Sequence, residues 1–96
     1  MKPVHVVVLS YTVDLDRIDA ALDEHVAWLD THYAVGVFLA SGRRDPRVGG
    51  VILAGGVDRA ELDRRLAQDP FHRSGFAAYS VTTFVPSRTV PGILGA

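Results

Sequence analysis

Residues 37–55, VFLASGRRDPRVGGVILAG, contain two apolar segments separated by a short polar connection. The segments 37–42 and 50–55 are rich in the β-branched and aliphatic residues that favour strands. The connection, residues 43–47, contains three arginines, an aspartate and a proline, which is the composition of a turn. The stretch therefore predicts a β-hairpin at the centre of the chain.

On the N-terminal side, the pattern predicts a strand at 4–11 followed by a long helix. From about Asp16 onward, apolar residues recur at spacings of three and four, which is the helical period. Gly36 is a typical residue to end that helix. The predicted apolar stripe consists of Ile18, Leu22, Val26, Leu29 and Tyr33.

On the C-terminal side, Asp58 is a predicted N-cap and Glu61 completes a capping box. This second helix has to end before Pro70, and residues 76–85 form a predicted fourth strand. The order is βαββαβ, an α+β arrangement of the ferredoxin-like type. We therefore predict an antiparallel four-stranded sheet with both helices on one face.

Length and composition indicate one globular domain. The chain has 96 residues, of which 48% are hydrophobic and 22% charged. We assign residues 1–86 to a single domain and residues 87–96, which are rich in Pro and Gly, to a C-terminal tail. A net charge of −1 argues against nucleic acid as a partner, and no apolar run is long enough to cross a membrane. We expect a cytoplasmic protein.

Apolar residues on both faces of the predicted sheet indicate a partner. One side of the first strand carries Val4, Val6 and Val8, and the other carries His5, Val7, Leu9 and Tyr11. The last strand repeats the pattern, with Phe76, Ala78 and Phe84 on one side. Two helices cover only one face, so we predict a homodimer with its sheets face to face. A monomer with an apolar surface is the alternative.

Two ionisable residues are candidates for acid–base chemistry. His25 falls within the apolar stripe of the first predicted helix, and imidazole exchanges protons readily near neutral pH. Asp69 follows the second predicted helix, whose end can return toward the first helix and orient the imidazole. The structural alternatives are a buried histidine bonded to a backbone carbonyl and an aspartate that only caps a turn.

The hairpin supplies candidate binding residues. Ser41 and Gly42 end the second predicted strand, where a hydroxyl and backbone amides can stabilise an oxyanion. Arg43 can bind an anion together with Arg44 and Arg47, although exposed hairpin arginines are usually only solvated. Phe71, in the Asp-Pro-Phe motif, completes the predicted substrate-binding set.

Neither a metal nor a cofactor is expected. His25 and His32 are seven residues apart, which is about 10.5 Å along a helix and too far for one ion. The chain lacks cysteine, and its paired glycines do not have the spacing of a phosphate-binding loop.

His25, the segment 36–42, the strand beginning Gly49-Gly50 and the Asp69-Pro70-Phe71 motif together resemble the YciI-like (YCII-related) family. The resemblance extends from about Val4 to Pro86. It implies a dimeric α/β barrel, and it implies an active-site histidine and aspartate at His25 and Asp69. Ser41 matches the small residue at the family's strand end, whereas Arg43 replaces a proline common in relatives.

Three functions follow as hypotheses. The first is a cofactor-independent lyase or isomerase acting on a small aromatic or anionic metabolite, since the resemblance implies lyase chemistry such as dehydrochlorination. The second is a non-catalytic dimeric module that binds a small molecule. The third, by analogy with other dimeric barrels, is an oxygenase or a haem-handling protein.

Overall fold

The computed structural model describes residues 2–94. It contains eight elements: β1 (Val4–Tyr11), α1 (Leu15–Ala20), α2 (Leu22–Ala34), β2 (Phe38–Arg43), β3 (Gly49–Gly55), α3 (Arg59–Leu66), α4 (Pro70–Arg73) and β4 (Ala77–Phe84).

The four strands form one antiparallel sheet in the order β2-β3-β1-β4. The predicted ferredoxin-like α+β fold is therefore confirmed, and the strand boundaries differ from the prediction by about one residue. At the centre of the sheet, Val7 lies between Ile52 and Val81. Val7 and Ile52 are buried in the core with Ile18 and Leu62 from the helices, so the sheet and helices share one apolar layer.

The first predicted helix is divided in two. Ala21, with φ −100° and ψ 2°, separates α1 from α2. The face turned to the core follows the spacing of seven residues from Ile18 through His25 to His32. The predicted stripe is therefore wrong at its edge, at Val26 and Tyr33, which are 43% and 37% exposed. Trp28 and His32 are buried in their place.

The second predicted helix is α3, and it ends before Pro70, as predicted. Asp58 caps α3, and its side chain accepts a hydrogen bond from the backbone N–H of Glu61. Residues 70–73, which were not predicted to be helical, form one helical turn, α4. Asp69 is the N-cap of this turn and Pro70 occupies its first position, an arrangement that suits a residue lacking a backbone N–H.

The sheet face opposite the helices, which we call the outer face, is partly apolar. Val6 and Val8 are half-buried there and pair with Leu53 and Val51, which are also half-buried. On β4 the outer face is more polar than the sequence pattern predicted. Ser80 and Thr82, which pair with Val8 and Val6, are polar and exposed.

Within residues 87–94 there is neither helix nor strand. Residues 1, 95 and 96, which belong to the predicted domain and tail ranges, lie outside the described residues. Within residues 2–94, no helix has the length and apolar composition needed to cross a membrane.

Candidate active site

His25 and Asp69, which are 44 residues apart in the sequence, form a hydrogen bond in the folded chain. Nδ1 of His25 lies 2.8 Å from Oδ1 of Asp69. The side chain of His25 is 12% exposed and that of Asp69 is fully buried. A carboxylate only accepts hydrogen bonds, so this contact places a proton on Nδ1 and leaves Nε2 as the unprotonated nitrogen of the neutral ring.

Asp69 is held by two further donors. Its Oδ1 accepts a hydrogen bond of 3.0 Å from the backbone N–H of Phe71, because Asp69 caps α4. Its Oδ2 accepts a hydrogen bond from the hydroxyl of Tyr79 on β4. Burial raises the pKa of the Tyr79 phenol far above its ordinary value, and the bond to Asp69 raises it further. Tyr79 therefore remains protonated, and three donors compensate for the burial of the carboxylate.

Aromatic contacts fix the plane of the imidazole. The His25 ring stacks on Phe71 with centroids 4.1 Å apart and an interplanar angle of 8°. Trp28, on the next turn of α2, packs against the imidazole, and the centroids of the two rings are 5.5 Å apart. Nε1 of Trp28 donates a 3.0 Å hydrogen bond to the carbonyl oxygen of Arg65, which anchors the indole to α3. Packing and hydrogen bonding thus preorganise the ring.

A cavity of about 140 Å³ lies between α2 and the sheet, on the side of the sheet that carries the helices. Its polar lining includes His25, Ser41, Arg43 and Arg47. The apolar residues of its wall include Leu9, Leu22, Val26, Leu29, Ile52 and Phe71. A small apolar pocket with a few convergent polar groups is the usual form of a small-molecule site.

The predicted binding residues all border this cavity, and Asp69 lies behind His25. Ser41 and Gly42 line it at the end of β2, next to exposed Arg43. The hydroxyls of Ser41 and Tyr33 are 2.6 Å apart. The structure thus brings Ser41, Gly42, Arg43 and Phe71 together with His25.

Two residues of the site were missed from the sequence. Tyr79 was not singled out, and Arg47 was named only together with Arg43 and Arg44 as a possible anion-binding residue. Strand alternation shows which face Tyr79 occupies, but no local signal indicates its contact with Asp69. Turn composition similarly does not indicate which hairpin arginine bends toward the cavity.

Two other histidines have structural partners. The ring nitrogens of His5 lie 2.7 Å from Oγ1 of Thr83 and 2.8 Å from the carbonyl oxygen of Val57. Nδ1 of His32 lies 3.0 Å from a guanidinium nitrogen of Arg65. Burial lowers the pKa of His32, and the charge of Arg65 lowers it further. Residues 2–94 contain no group of three or more His, Cys, Asp or Glu side chains placed to hold a metal ion.

The fold and the site define a small α+β protein with a histidine–aspartate pair beside a small cavity that is open on one side. A family profile described as the YCII-related domain matches residues 4–85. The chain therefore belongs to the YCII-related family. A comparison with curated proteins gives no match.

Two solved structures share the fold. One is the 5-chloro-2-hydroxyhydroquinone dehydrochlorinase TftG of Burkholderia phenoliruptrix, in complex with 2,5-dihydroxybenzoquinone. It has a TM-score of 0.70 and 14% sequence identity, over 90% of this chain and 95% of that chain. The other is a variant of SnoaB, a cofactor-independent oxygenase of Streptomyces nogalater. It has a TM-score of 0.52 and 16% identity, over 94% of this chain and 97% of that chain.

Proposed function

We propose that the protein is a cofactor-independent enzyme of the lyase or isomerase type that acts on a small molecule, with His25 transferring the proton. The observation that supports this most strongly is the 2.8 Å hydrogen bond between Nδ1 of His25 and buried Asp69. It leaves Nε2 as the basic nitrogen of a residue that lines the cavity.

In the proposed reaction, Nε2 of His25 accepts a proton from a C–H or O–H group of the substrate. Asp69 holds the ring in the required tautomer and stabilises the imidazolium that forms. The hydroxyl of Ser41 and the backbone at Gly42 stabilise the negative charge that develops on the substrate. In a lyase the electron pair expels the leaving group, and the imidazolium releases the proton to that group or to solvent. In an isomerase the electron pair moves to a new position, and the imidazolium returns the proton to the substrate there.

The dehydrochlorinase with the same fold suggests a first compound to test. TftG is described as acting on a chlorinated hydroquinone. Phe71 and the leucines of the cavity suit an aromatic ring, because their side chains form an apolar wall. Elimination of HCl from such a ring needs a base to remove a proton while chloride leaves.

The test measures chloride release from 5-chloro-2-hydroxyhydroquinone and, for a panel of hydroxylated aromatic compounds, incorporation of deuterium from D2O. We expect His25→Asn to lower the rate by about 10²-fold or more. His72→Asn is the matched control, because His72 is exposed on α4 and does not line the cavity. Equal rates for the wild type and His25→Asn would contradict the proposal.

The same experiment separates the alternatives. Binding of these compounds to the wild type with neither product nor deuterium incorporation would favour the non-catalytic binding module. Turnover that occurs only in air would favour an oxygenase.

We also propose that residues 1–86 form a single domain with a tail at 87–96, and that two copies pair through their outer faces. The support is the half-buried patch of Val6, Val8 and Leu53 on a face without helices. Phe84, which is 48% exposed, extends this patch. A second copy is the simplest cover for such a surface.

A further inference from the structure

The three arginines of the β2–β3 hairpin have different environments. Arg43 is exposed at the edge of the cavity. Arg44 donates a 3.0 Å hydrogen bond to Oγ of Ser10 and does not line the cavity. Arg47 lines the cavity, and its side chain is only 23% exposed. Arg47 is therefore the arginine that is most enclosed together with His25.

The guanidinium of Arg47 is only partly paired. Its Nη2 donates a hydrogen bond of 2.5 Å to Oδ1 of Asp19, on α1. This contact raises the pKa of Arg47, with a smaller contribution from the Tyr11 side chain that also lines the cavity, and it lowers the pKa of Asp19. Nε of Arg47 is buried and has no hydrogen-bond partner within residues 2–94. A buried N–H without an acceptor is costly, so Nε of Arg47 favours a further hydrogen-bond acceptor.

The missing acceptor is best supplied by an anion. Nε and Nη2 lie on one edge of the guanidinium, and a carboxylate binds such an edge with two parallel hydrogen bonds. Asp19 uses only one of them, and its side chain is 52% exposed, so its ion pair with Arg47 is weak enough to be displaced. No Asp or Glu lines the cavity among the described residues, whereas Arg43 and Arg47 do.

We propose that Arg47 binds the anionic group of the substrate, and that the substrate is a small monoanion with a carboxylate or phenolate on an apolar body. The body would pack against Leu22, Leu29 and Phe71, and the reacting atom would lie at Nε2 of His25. This inference rests on the proposed function because the two share one cavity. It concerns what the cavity binds, whereas the proposed function concerns which proton moves.

The test compares benzoate with benzamide, a neutral compound of nearly the same shape. Affinities are measured by NMR titration, following the Nε–H signal of Arg47 and the ring signals of His25. We expect wild-type protein to bind benzoate at least about 10-fold more tightly than benzamide, as a charge-assisted hydrogen bond predicts. Arg47→Gln should remove this preference and leave benzamide affinity within about twofold.

Arg44→Gln is the matched control, since Arg44 lies on the same hairpin outside the cavity. Asp19→Asn is a second variant, and it tests the anion site in a protein that still contains Arg47. It removes the competing carboxylate at an exposed position, and we expect it to tighten benzoate binding several-fold. Benzoate binding no tighter than benzamide binding, an equal effect of the two arginine variants, or weaker benzoate binding by Asp19→Asn would overturn the proposal.

His25→Asn distinguishes this inference from the proposed function. It should lower turnover by about 10²-fold or more and leave the preference for benzoate intact. Turnover that depends on His25, in a protein without preference for benzoate, would refute the role of Arg47 alone. A preference that depends on Arg47, in a protein without turnover, would support the anion site and refute the catalytic proposal alone.

Discussion

Replacing Tyr79 with phenylalanine tests how the buried carboxylate of Asp69 is held. The substitution removes one oxygen and leaves the ring, so it creates almost no cavity. It also removes the donor to Oδ2 of Asp69, which is fully buried. Because the carboxylate is charged and water does not reach it, the loss of this hydrogen bond lowers stability more than the loss of an exposed one. We expect the free energy of unfolding to fall by about 2 kcal/mol.

The assay is urea denaturation at fixed protein concentration, supported by thermal unfolding. For a chain of this size, 2 kcal/mol corresponds to a decrease in Tm of about 8–16 °C. Tyr33→Phe is the matched control, because it removes a tyrosine hydroxyl that pairs with the exposed Ser41 instead of a buried charge. The control should change stability by less than about 0.5 kcal/mol.

A double-mutant cycle assigns the effect to the Tyr79–Asp69 pair. When Asp69→Asn is already present, Tyr79→Phe should cost at least about 1 kcal/mol less than in the wild type, because the charged acceptor is gone. Equal stability losses for Tyr79→Phe and Tyr33→Phe, or strict additivity in the cycle, would refute the reasoning.

Three further predictions concern the packing of the sheet, the pH dependence of stability and the pairing of two copies. Gly49→Ala should destabilise the sheet by more than about 3 kcal/mol in urea denaturation, because its Cβ would lie 1.7 Å from the backbone carbonyl oxygen of Leu9; a loss below 1 kcal/mol would contradict this close approach of two strands. The pKa of His32 is lowered in the folded chain, mainly by burial and then by Arg65. The unfolded chain therefore binds more protons, and the free energy of unfolding should decrease as pH falls below about 6.5. In His32→Phe the free energy of unfolding should fall less steeply below that pH. The same pH dependence in the variant and the wild type would contradict the role given to His32. Val8→Asp places a charge on the outer face and should shift sedimentation from dimer to monomer; a wild type that sediments as a monomer would exclude the proposed pairing.

The order of the elements was predictable because each carries a strong local signal. The hairpin has turn residues between two β-rich segments, and Asp58 and Pro70 mark the limits of a helix. The break in the first helix was not predictable, since Ala21 is neither Pro nor Gly. The apolar spacing also placed Val26 inside the buried stripe, whereas the structure exposes it and buries the polar His32, seven residues after His25.

The candidate site was predictable only in part. His25 and Asp69 could be proposed from position and from family resemblance, and the structure places them in contact. Tyr79 and Arg47 could not be singled out, because their roles depend on tertiary contacts. Strand alternation predicts which face of the sheet a side chain lies on, and turn composition predicts a hairpin. Neither pattern predicts which atom the end of a long side chain contacts.

The orientation of His25 can be measured without knowing the substrate. Long-range ¹H–¹⁵N NMR distinguishes a protonated from an unprotonated ring nitrogen, and the His25→Asn variant assigns the signals. At a pH where the ring is neutral, our account predicts a proton on Nδ1, donated to Asp69, and an unprotonated Nε2. A neutral ring that carries its proton on Nε2 would contradict it.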